Sequence, residues 1–201
     1  MRHIRTTMLL AALATAAPLA AAPAFAQGTS TQGTGTDTGS GQTVMVGGAP
    51  MYPSKNIVEN AVNSKDHTTL VAAVKAAGLV PTLEGPGPFT VFAPTNEAFD
   101  KLPPGTVQTL LQPENKQTLV KILTYHVVPG VYTTQRLMDM VRQGHGEAML
   151  KTVEGEPLKV STDNGHVFVS GEKSGVAEIT IPNVMQSNGV IQVVSSVLLP
   201  N

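Results

Sequence analysis

Two apolar segments near opposite ends of the chain constrain its fold most strongly. The first runs from Phe89 to Phe99 and reads FTVFAPTNEAF, and the second runs from Asn188 to Pro200 and reads NGVIQVVSSVLLP. Each joins a short apolar run to residues that form turns or cap helices, so each predicts a short buried strand with a fixed corner. We expect the two strands to lie in one sheet. Such a pair specifies a scaffold and does not specify a reaction.

The patterns before and around the first segment predict helices. Ser54 and Asp66 are expected to cap two helices, and Gly78 is placed to end the second of them. Thr95 or Asn96 is expected to cap the helix that follows the first buried strand. The first half of the chain therefore predicts several short helices and one early strand.

After Val127 the apolar pattern changes from a helical to a strand-like period. The segment 135–141 is an exception and predicts a short amphipathic helix. Asn164-Gly165 predicts a tight hairpin, because this pair readily adopts the positive φ angles of a type I′ turn. Helices first and strands later indicate an α+β fold and not a βαβ alternation.

The N-terminal 48 residues read as a processing signal and a linker. Residues 1–26 combine Arg2 and Arg5, an alanine-rich apolar stretch and a final Ala-Phe-Ala, which is typical of a cleaved signal peptide; an uncleaved anchor is the alternative. Residues 27–48 are rich in Gly, Thr, Ser and Gln and predict a flexible linker. We expect a single domain over residues 49–201 and a secreted protein, periplasmic or extracellular, without a membrane span once the signal is removed.

The composition limits the partners of such a protein. Thirteen Lys and Arg against fourteen Asp and Glu give a net charge of −1, and no basic cluster carries interleaved aromatic residues. This balance argues against nucleic acid as a partner. It leaves an extracellular protein or polysaccharide surface, or an apolar small molecule. The chain has no cysteine, so a disulfide framework is excluded and the core alone must hold the domain.

Three segments in order resemble the signature segments of the fasciclin domain, a secreted adhesion and ligand-binding module. They are Thr90 to Phe99, Leu123 to Val128, which contains a Tyr-His pair, and Asn188 to Pro200. The resemblance covers roughly Ser54 to Pro200. It implies a fasciclin-like fold in which N-terminal helices pack on a wedge of mixed and antiparallel β-sheet, with the two signature strands side by side.

The chain departs from the family pattern at several polar positions. Gln192 stands where the family usually has a histidine, and Ser195 stands where it usually has an aspartate. A hydrogen-bonded His-Asp arrangement is therefore not expected. Ile181 and Asn183 replace the two acidic residues of the integrin-recognition stretch found in vertebrate relatives, so integrin binding by that route is not expected either.

The resemblance also points to candidate binding residues. It associates Tyr125 and His126 with adhesion, and Asn188 and Gly189 are expected to shape the neighbouring surface. The alternative for His126 is an imidazole held by a backbone carbonyl where helix gives way to strand. The other histidines include His67, His145 and His166, which are scattered singly and predict loop or strand positions at the surface. No metal site and no cofactor are expected, because there is no HxxxH pair and no thiolate.

Motifs for catalysis are missing from the sequence, which contains neither a G-x-S-x-G elbow nor a phosphate-binding G-x-x-x-x-G-K loop. We therefore expect a monomeric, non-enzymatic module for adhesion or surface interaction. The alternative is a binding protein for an apolar small molecule such as a carotenoid- or haem-like ligand. Met138, Met140 and Met149 support that alternative if they line a groove, although they can equally fill the core.

Overall fold

The computed structural model describes residues 43–201. The helices in this part of the chain are α1 (Ile57–Ala61), α2 (Thr68–Ala77), α3 (Val80–Glu84), α4 (Asn96–Asp100), α5 (Thr106–Leu110), α6 (Lys116–Tyr125) and α7 (Thr134–Gln143). The strands are β1 (Val44–Val46), β2 (Ala49–Met51), β3 (Phe89–Pro94), β4 (Val127–Pro129), β5 (Glu147–Lys151), β6 (Pro157–Asp163), β7 (His166–Ser170), β8 (Val176–Gln186) and β9 (Gly189–Val194). Helices precede most strands, which confirms the α+β prediction.

The two apolar segments meet at the centre of the main sheet. Its seven strands lie in the order β4-β3-β9-β8-β7-β6-β5. Strands β3 and β9 pair in parallel, with Phe89 opposite Gly189 and Pro94 opposite Val194, and the other pairs are antiparallel. Five of the six residues of β3 and all six of β9 are buried, because helices or strands cover both faces of this parallel pair.

Apolar side chains on the two faces of the central strands form two cores. One core packs the N-terminal helices against Val91, Ala93 and Ile191. The other packs α7 and the sheet β5–β8 against Phe92 and Val194. Adjacent residues of a strand point to opposite faces, which is why Val91 and Phe92 belong to different cores.

Strand β8 bends between its two partners. Register shifts interrupt its pairing with β9 around Ile181, and only its first residues pair with β7. The hairpin between β6 and β7 has positive φ angles at Asn164 (49°) and Gly165 (85°), as predicted for its Asn-Gly turn. Strands β5–β8 therefore form a distinct part of the sheet, which we call the wing. One face of the wing is buried and the other is exposed.

The first two helix caps differ from the sequence prediction. Asn56, not Ser54, caps α1 through a capping box with Glu59. Helix α2 has no cap from its own segment, and Asp66 lies in a 3-10 turn before it. The Asn96 carboxamide oxygen instead accepts a hydrogen bond from the backbone N–H of Thr69 at 3.0 Å.

The other predicted helix ends agree with the structure. Gly78 ends α2 in a left-handed conformation with a φ of 74°. Thr95 caps α4 by accepting a hydrogen bond from the backbone N–H of Ala98. With Asn96 reaching back to α2, the first signature segment therefore joins the early strand to two helices.

A short hairpin, β1–β2, precedes the first helix. Val44 pairs with Met51 and Val46 with Ala49, and Val46 and Met51 are buried in the first core. Residues 44–48 therefore belong to the folded part, and the predicted linker of residues 27–48 extends too far at its C-terminal end. The predicted signal peptide (residues 1–26) and the linker up to residue 42 lie outside the described residues. Among residues 43–201, no helix is long and apolar enough to cross a membrane.

Candidate functional site

His126 lies at the C-terminal end of α6 and is only 2% exposed. Its Nδ1 is 2.8 Å from the carbonyl oxygen of Ile122, and its Nε2 is 2.9 Å from the backbone nitrogen of Leu198. The Leu198 N–H must donate to Nε2, so Nδ1 carries the proton and donates to Ile122. Burial lowers the pKa of His126 to about 4. The ring is therefore a neutral connection between α6 and the second signature segment, in agreement with the carbonyl-bound alternative.

Tyr125 is fully buried in the second core, on the wing side of the sheet. Its hydroxyl donates a hydrogen bond of 2.8 Å to the carbonyl oxygen of Pro157, at the start of β6. Burial raises the pKa of Tyr125 and keeps the phenol protonated. Tyr125 and His126 therefore shape the domain from within, and a macromolecular partner would touch residues other than these two side chains.

Asn188 lies in the turn between β8 and β9, and Gly189 is the first residue of β9. The Asn188 side chain accepts a hydrogen bond from the backbone N–H of Ile57 at 3.1 Å and donates one to the carbonyl oxygen of Leu83 at 2.7 Å. A Cβ atom at Gly189 would overlap the carbonyl oxygen of Phe89, so only glycine fits this close approach of two strands. Asn188 therefore connects the turn to α1 and α3, and Gly189 allows β3 and β9 to approach closely.

An open surface cleft of about 400 Å³ lies beside this turn and is lined in part by Pro86, Val131 and Met185. Asn188 and Gly189 border the cleft together. Tyr125 and His126 do not line it. The structure therefore places the four predicted binding residues in two separate environments and not on one adhesion surface.

Gln192, which stands where the family pattern usually has a histidine, is fully buried. Its Oε1 accepts a hydrogen bond from the backbone N–H of Asn183, and its Nε2 donates to the Tyr132 carbonyl oxygen at 2.9 Å. Ser195 accepts from the backbone N–H of Glu178. Gln192 and Ser195 thus form hydrogen bonds with different residues and not with each other. The hydrogen bonds of Gln192 extend to Tyr132, in the loop before α7.

His67 lies in the interior and not at the surface, where the sequence predicted it. Only 3% of it is exposed, because α2 and β3 close over the 3-10 turn that carries it. Its Nδ1 is 2.9 Å from Ser64 Oγ, while Nε2 has no hydrogen-bond partner in the described residues. Burial lowers the pKa of His67, and the nearby Ala93 carbonyl group partly opposes this lowering. The carbonyl group does not meet the geometric criteria for a hydrogen bond with Nε2. A lone histidine in a polar segment gives no sequence signal of such burial.

His67 borders an apolar cavity of about 80 Å³ between the N-terminal helices and the main sheet. Its walls include Leu70 and Val74 of α2, Leu83 of α3 and Val91 of β3. His126 also lines this cavity, but both of its ring nitrogens are already hydrogen-bonded. Internal ligand sites usually measure about 300–1,000 Å³, so this cavity is small and narrow for a pigment.

The three candidate methionines do not form a groove. Met138 and Met140 lie on α7 and pack against the second core. Met149 lies in β5 between the buried residues Ala148 and Leu150, so its side chain points away from α7 and is 62% exposed. The groove prediction therefore does not hold, because the sheet separates Met149 from the other two.

Met149 belongs instead to the exposed side of strands β5–β8, which we call the outer sheet face. Cross-strand pairing places Met149 beside Lys159, Lys159 beside Ser170 and Ser170 beside Val176. Val176 is 64% exposed. The next row contains Glu147, Ser161, Phe168 and Glu178. An ion pair joins Lys159 to Glu147 across the face, and a hydrogen bond joins His166 Nδ1 to the Glu178 carboxylate. Apolar side chains are thus interspersed with charged and polar groups.

No group of three or more His, Cys, Asp or Glu side chains suitable for a metal ion occurs in the part of the chain that the structure describes. The outer sheet face, the apolar cavity and the cleft beside Asn188 are the three features described here that could contact another molecule. Of these, the outer sheet face is the broad, exposed surface that suits a macromolecule.

Comparisons with known proteins agree with this architecture. Residues 65–200 match the model of the Fasciclin domain family. The chain is 46% identical over 159 residues to protein sll1483 of Synechocystis sp., covering 79% of this chain and 81% of that protein. It is 38% identical over 148 residues to transforming growth factor-beta-induced protein ig-h3 of Oryctolagus cuniculus, covering 74% of this chain and 20% of that protein.

A solved structure of a FAS1 domain pair from the insect cell adhesion molecule Fasciclin I has a similar fold. Its TM-score is 0.64 at 19% sequence identity, over 72% of this chain and 51% of that chain. At this identity the likeness concerns the fold. It supports the order of helices before a mixed sheet that the residues themselves predict.

Proposed function

Because the chain belongs to the fasciclin domain family, we propose that it is a secreted, non-enzymatic module for adhesion or surface interaction. Its similarity to transforming growth factor-beta-induced protein supports this proposal, and the structural neighbour is a cell adhesion molecule. Secretion is part of the proposal and rests on the signal-like residues 1–26.

The outer sheet face is the surface that we assign to this interaction, and its exposed apolar side chains are the observation that carries the assignment. Met149 and Val176 are mostly exposed on a strand face whose opposite side is buried. Aromatic residues and methionine are enriched at interface centres, and polar groups surround them. Phe168 is half-buried between β6 and β8, which suits the centre of such a patch.

The partner that fits this face best is an extracellular protein or polysaccharide surface. Charges of both signs occur on the face, as the Lys159–Glu147 ion pair shows, so no strong field selects a highly charged polymer. Tyr125 and His126 contribute indirectly in this proposal, since they anchor α6 to β6 and to the second signature segment.

A pigment carrier receives less support than the adhesion module. The internal cavity of about 80 Å³ is far below the usual range of about 300–1,000 Å³ for ligand sites. The methionine groove that favoured this alternative is not formed. A pigment-free absorbance spectrum of protein purified from its native source is the expected result, and a bound chromophore would restore the alternative.

The test of the adhesion proposal is retention of purified protein lacking residues 1–26 on cells, matrix polymers and polysaccharides. The double variant Met149→Lys/Val176→Lys places two charges on the outer sheet face and should lose at least tenfold in retention. Met45→Lys/Met185→Lys is the matched control, because both methionines are exposed elsewhere, and it should be retained like the wild type. Circular dichroism verifies that both variants are folded. Equal retention of the two variants would refute the assigned face, and failure of the wild type to bind any surface would refute the function.

A further inference from the structure

The chain contains two Asn-Gly pairs, Asn164-Gly165 and Asn188-Gly189. An Asn-Gly pair is open to a reaction within the chain, in which the glycine nitrogen attacks Cγ of the asparagine. The N–Cγ bond forms, the Cγ–Nδ2 bond breaks, and Nδ2 leaves as ammonia with the proton from the glycine nitrogen. Water then opens the resulting succinimide to aspartate or isoaspartate. Glycine favours the attack because it has no Cβ and the widest range of backbone angles.

The structure keeps the second pair, Asn188-Gly189, away from this reaction. The Asn188 carboxamide accepts a hydrogen bond from the backbone N–H of Ile57 and donates to two carbonyl oxygens at the end of α3. Gly189 is buried in β9, where a Cβ atom would overlap the carbonyl oxygen of Phe89. The carboxamide and the Gly189 nitrogen therefore cannot turn towards each other without breaking these hydrogen bonds and the packing of β9 on β3.

The first pair, Asn164-Gly165, has none of these restraints. It forms the two-residue turn between β6 and β7, and both residues are exposed. A Cβ atom at Gly165 would meet nothing within 4 Å. Among the described residues, the Asn164 side chain makes one hydrogen bond, from Nδ2 to the neighbouring Asp163 carboxylate at 3.2 Å. Exposed turns open locally at low cost in free energy, so the rotation that brings the Gly165 nitrogen to Cγ disturbs only this turn.

We propose that Asn164 is a site of spontaneous deamidation in the folded protein, and that the fold protects Asn188 from the same reaction. The reaction consumes water and releases ammonia, and it needs no enzyme, oxidant or cofactor. This modification site does not depend on the proposed adhesion function and goes beyond it.

Deamidation at position 164 changes the wing in two ways. Either product adds a negative charge beside Asp163. Isoaspartate also inserts a side-chain carbon into the main chain, which lengthens a turn whose positive φ angles fit two residues of normal backbone. The strands that leave this turn carry Ser161 and Phe168 of the outer sheet face. The isoaspartate form should therefore lose strand pairing next to the turn.

The first experiment incubates the protein at pH 8 and 37 °C, folded and in urea, and follows both Asn-Gly pairs by peptide mass spectrometry. In the folded protein we expect Asn164 to deamidate at least tenfold faster than Asn188. In the unfolded chain the two rates should be similar, because both sites are Asn-Gly. Reaction of Asn164 in the folded protein no faster than that of Asn188 would overturn the proposal. The same tenfold ratio in urea would overturn the protection of Asn188 by the fold.

The second experiment assigns the product with an isoaspartyl methyltransferase, which labels isoaspartate. Asn164→Gln should remove the label from the incubated folded protein, whereas Asn63→Gln, at an exposed asparagine outside an Asn-Gly pair, should keep it. Circular dichroism verifies that both variants are folded. A label that survives Asn164→Gln would overturn the assignment.

Amide hydrogen exchange tests the effect on the wing. The isoaspartate form, separated by ion exchange, should exchange faster than the fresh protein in β6 and β7 next to the turn. Asn164→Asp carries the added charge on a normal backbone and should exchange like the fresh protein. Equal exchange of the isoaspartate form and Asn164→Asp would overturn the predicted loss of strand pairing.

Discussion

His126 should make the folded domain sensitive to acid well above the range in which carboxylates titrate. In the folded chain the ring donates from Nδ1 to Ile122 and accepts at Nε2 from Leu198. A second proton would remove the acceptor and place a charge in the core, which is why burial lowers the pKa of His126 to about 4. The unfolded chain has no such restriction, and its histidine titrates near 6.5.

The sign and size of the effect follow from this difference. Between pH 6.5 and pH 4 the unfolded chain binds a proton that the folded chain excludes, so the free energy of unfolding falls as the pH falls through this window. With about 1.4 kcal/mol for each pKa unit, the loss reaches about 3 kcal/mol once both states are protonated. Between pH 7 and pH 5 it amounts to about 2 kcal/mol. His67 acts in the same direction, since burial lowers its pKa as well.

Urea unfolding followed by circular dichroism at pH 7, 6 and 5 measures the effect. His126→Gln keeps an uncharged polar side chain at this position, so it should lose about 1–3 kcal/mol at pH 7 yet depend less on pH than the wild type, by about 2 kcal/mol between pH 7 and pH 5. His145→Asn, a change in an exposed loop at a positive φ angle that Asn tolerates, should follow the wild type. Equal pH dependence of the wild type and His126→Gln would refute the reasoning.

Three further substitutions test the connections made by the signature segments, each by urea unfolding at pH 7. Asn188→Ala removes hydrogen bonds to two helical segments and should cost about 1–3 kcal/mol; a change below 0.5 kcal/mol would show that solvent replaces them. Gly189→Ala should prevent stable folding, because a Cβ would overlap Phe89, whereas Gly175→Ala has open space and should stay within about 0.5 kcal/mol; similar stability of the two would contradict the close strand approach. Asn96→Ala should cost about 1 kcal/mol through loss of the cap on α2, and unchanged stability would show that this distant cap is dispensable.

The central part of the fold could be predicted from the sequence because its signals are local. Thr95 caps the helix after β3, Gly78 ends α2, and Asn164-Gly165 makes the wing hairpin, as each residue type requires. That β3 and β9 lie side by side in one sheet followed from the two apolar segments together with the family resemblance, whereas their parallel direction was not predicted. These features depend on side chains within a few residues of one another or on long apolar runs.

What the sequence did not predict depends on contacts between distant residues. Asn96 caps α2 by accepting a hydrogen bond from Thr69, which lies 27 residues away in the sequence, and no local pattern predicts a hydrogen bond of this kind. His67 becomes buried because β3 packs over its turn, although the surrounding segment is polar. The hairpin β1–β2 follows a Gly- and Thr-rich segment, and it is held in place because Val46 and Met51 pack in the first core. Burial of this kind is decided by tertiary packing.

The predicted binding residues and the assigned surface lie in different parts of the domain. The Tyr-His pair was identified as a key element, and the structure shows it inside the domain, where both side chains bind backbone carbonyl groups. The outer sheet face was not predicted as a site, although the alternation in residues 147–151 and 166–170 is visible in the sequence. The missing information was which side of the sheet α7 covers.

Mapping of the bound surface tests the central claim most directly. Amide hydrogen exchange of the protein, free and bound to whichever cell, matrix or polysaccharide surface retains it, would locate the contact. We expect additional protection along β5 and β7, at residues 147–151 and 166–170, which carry much of the outer sheet face. Protection confined to α1–α3, or to the cleft beside Asn188, would contradict the account.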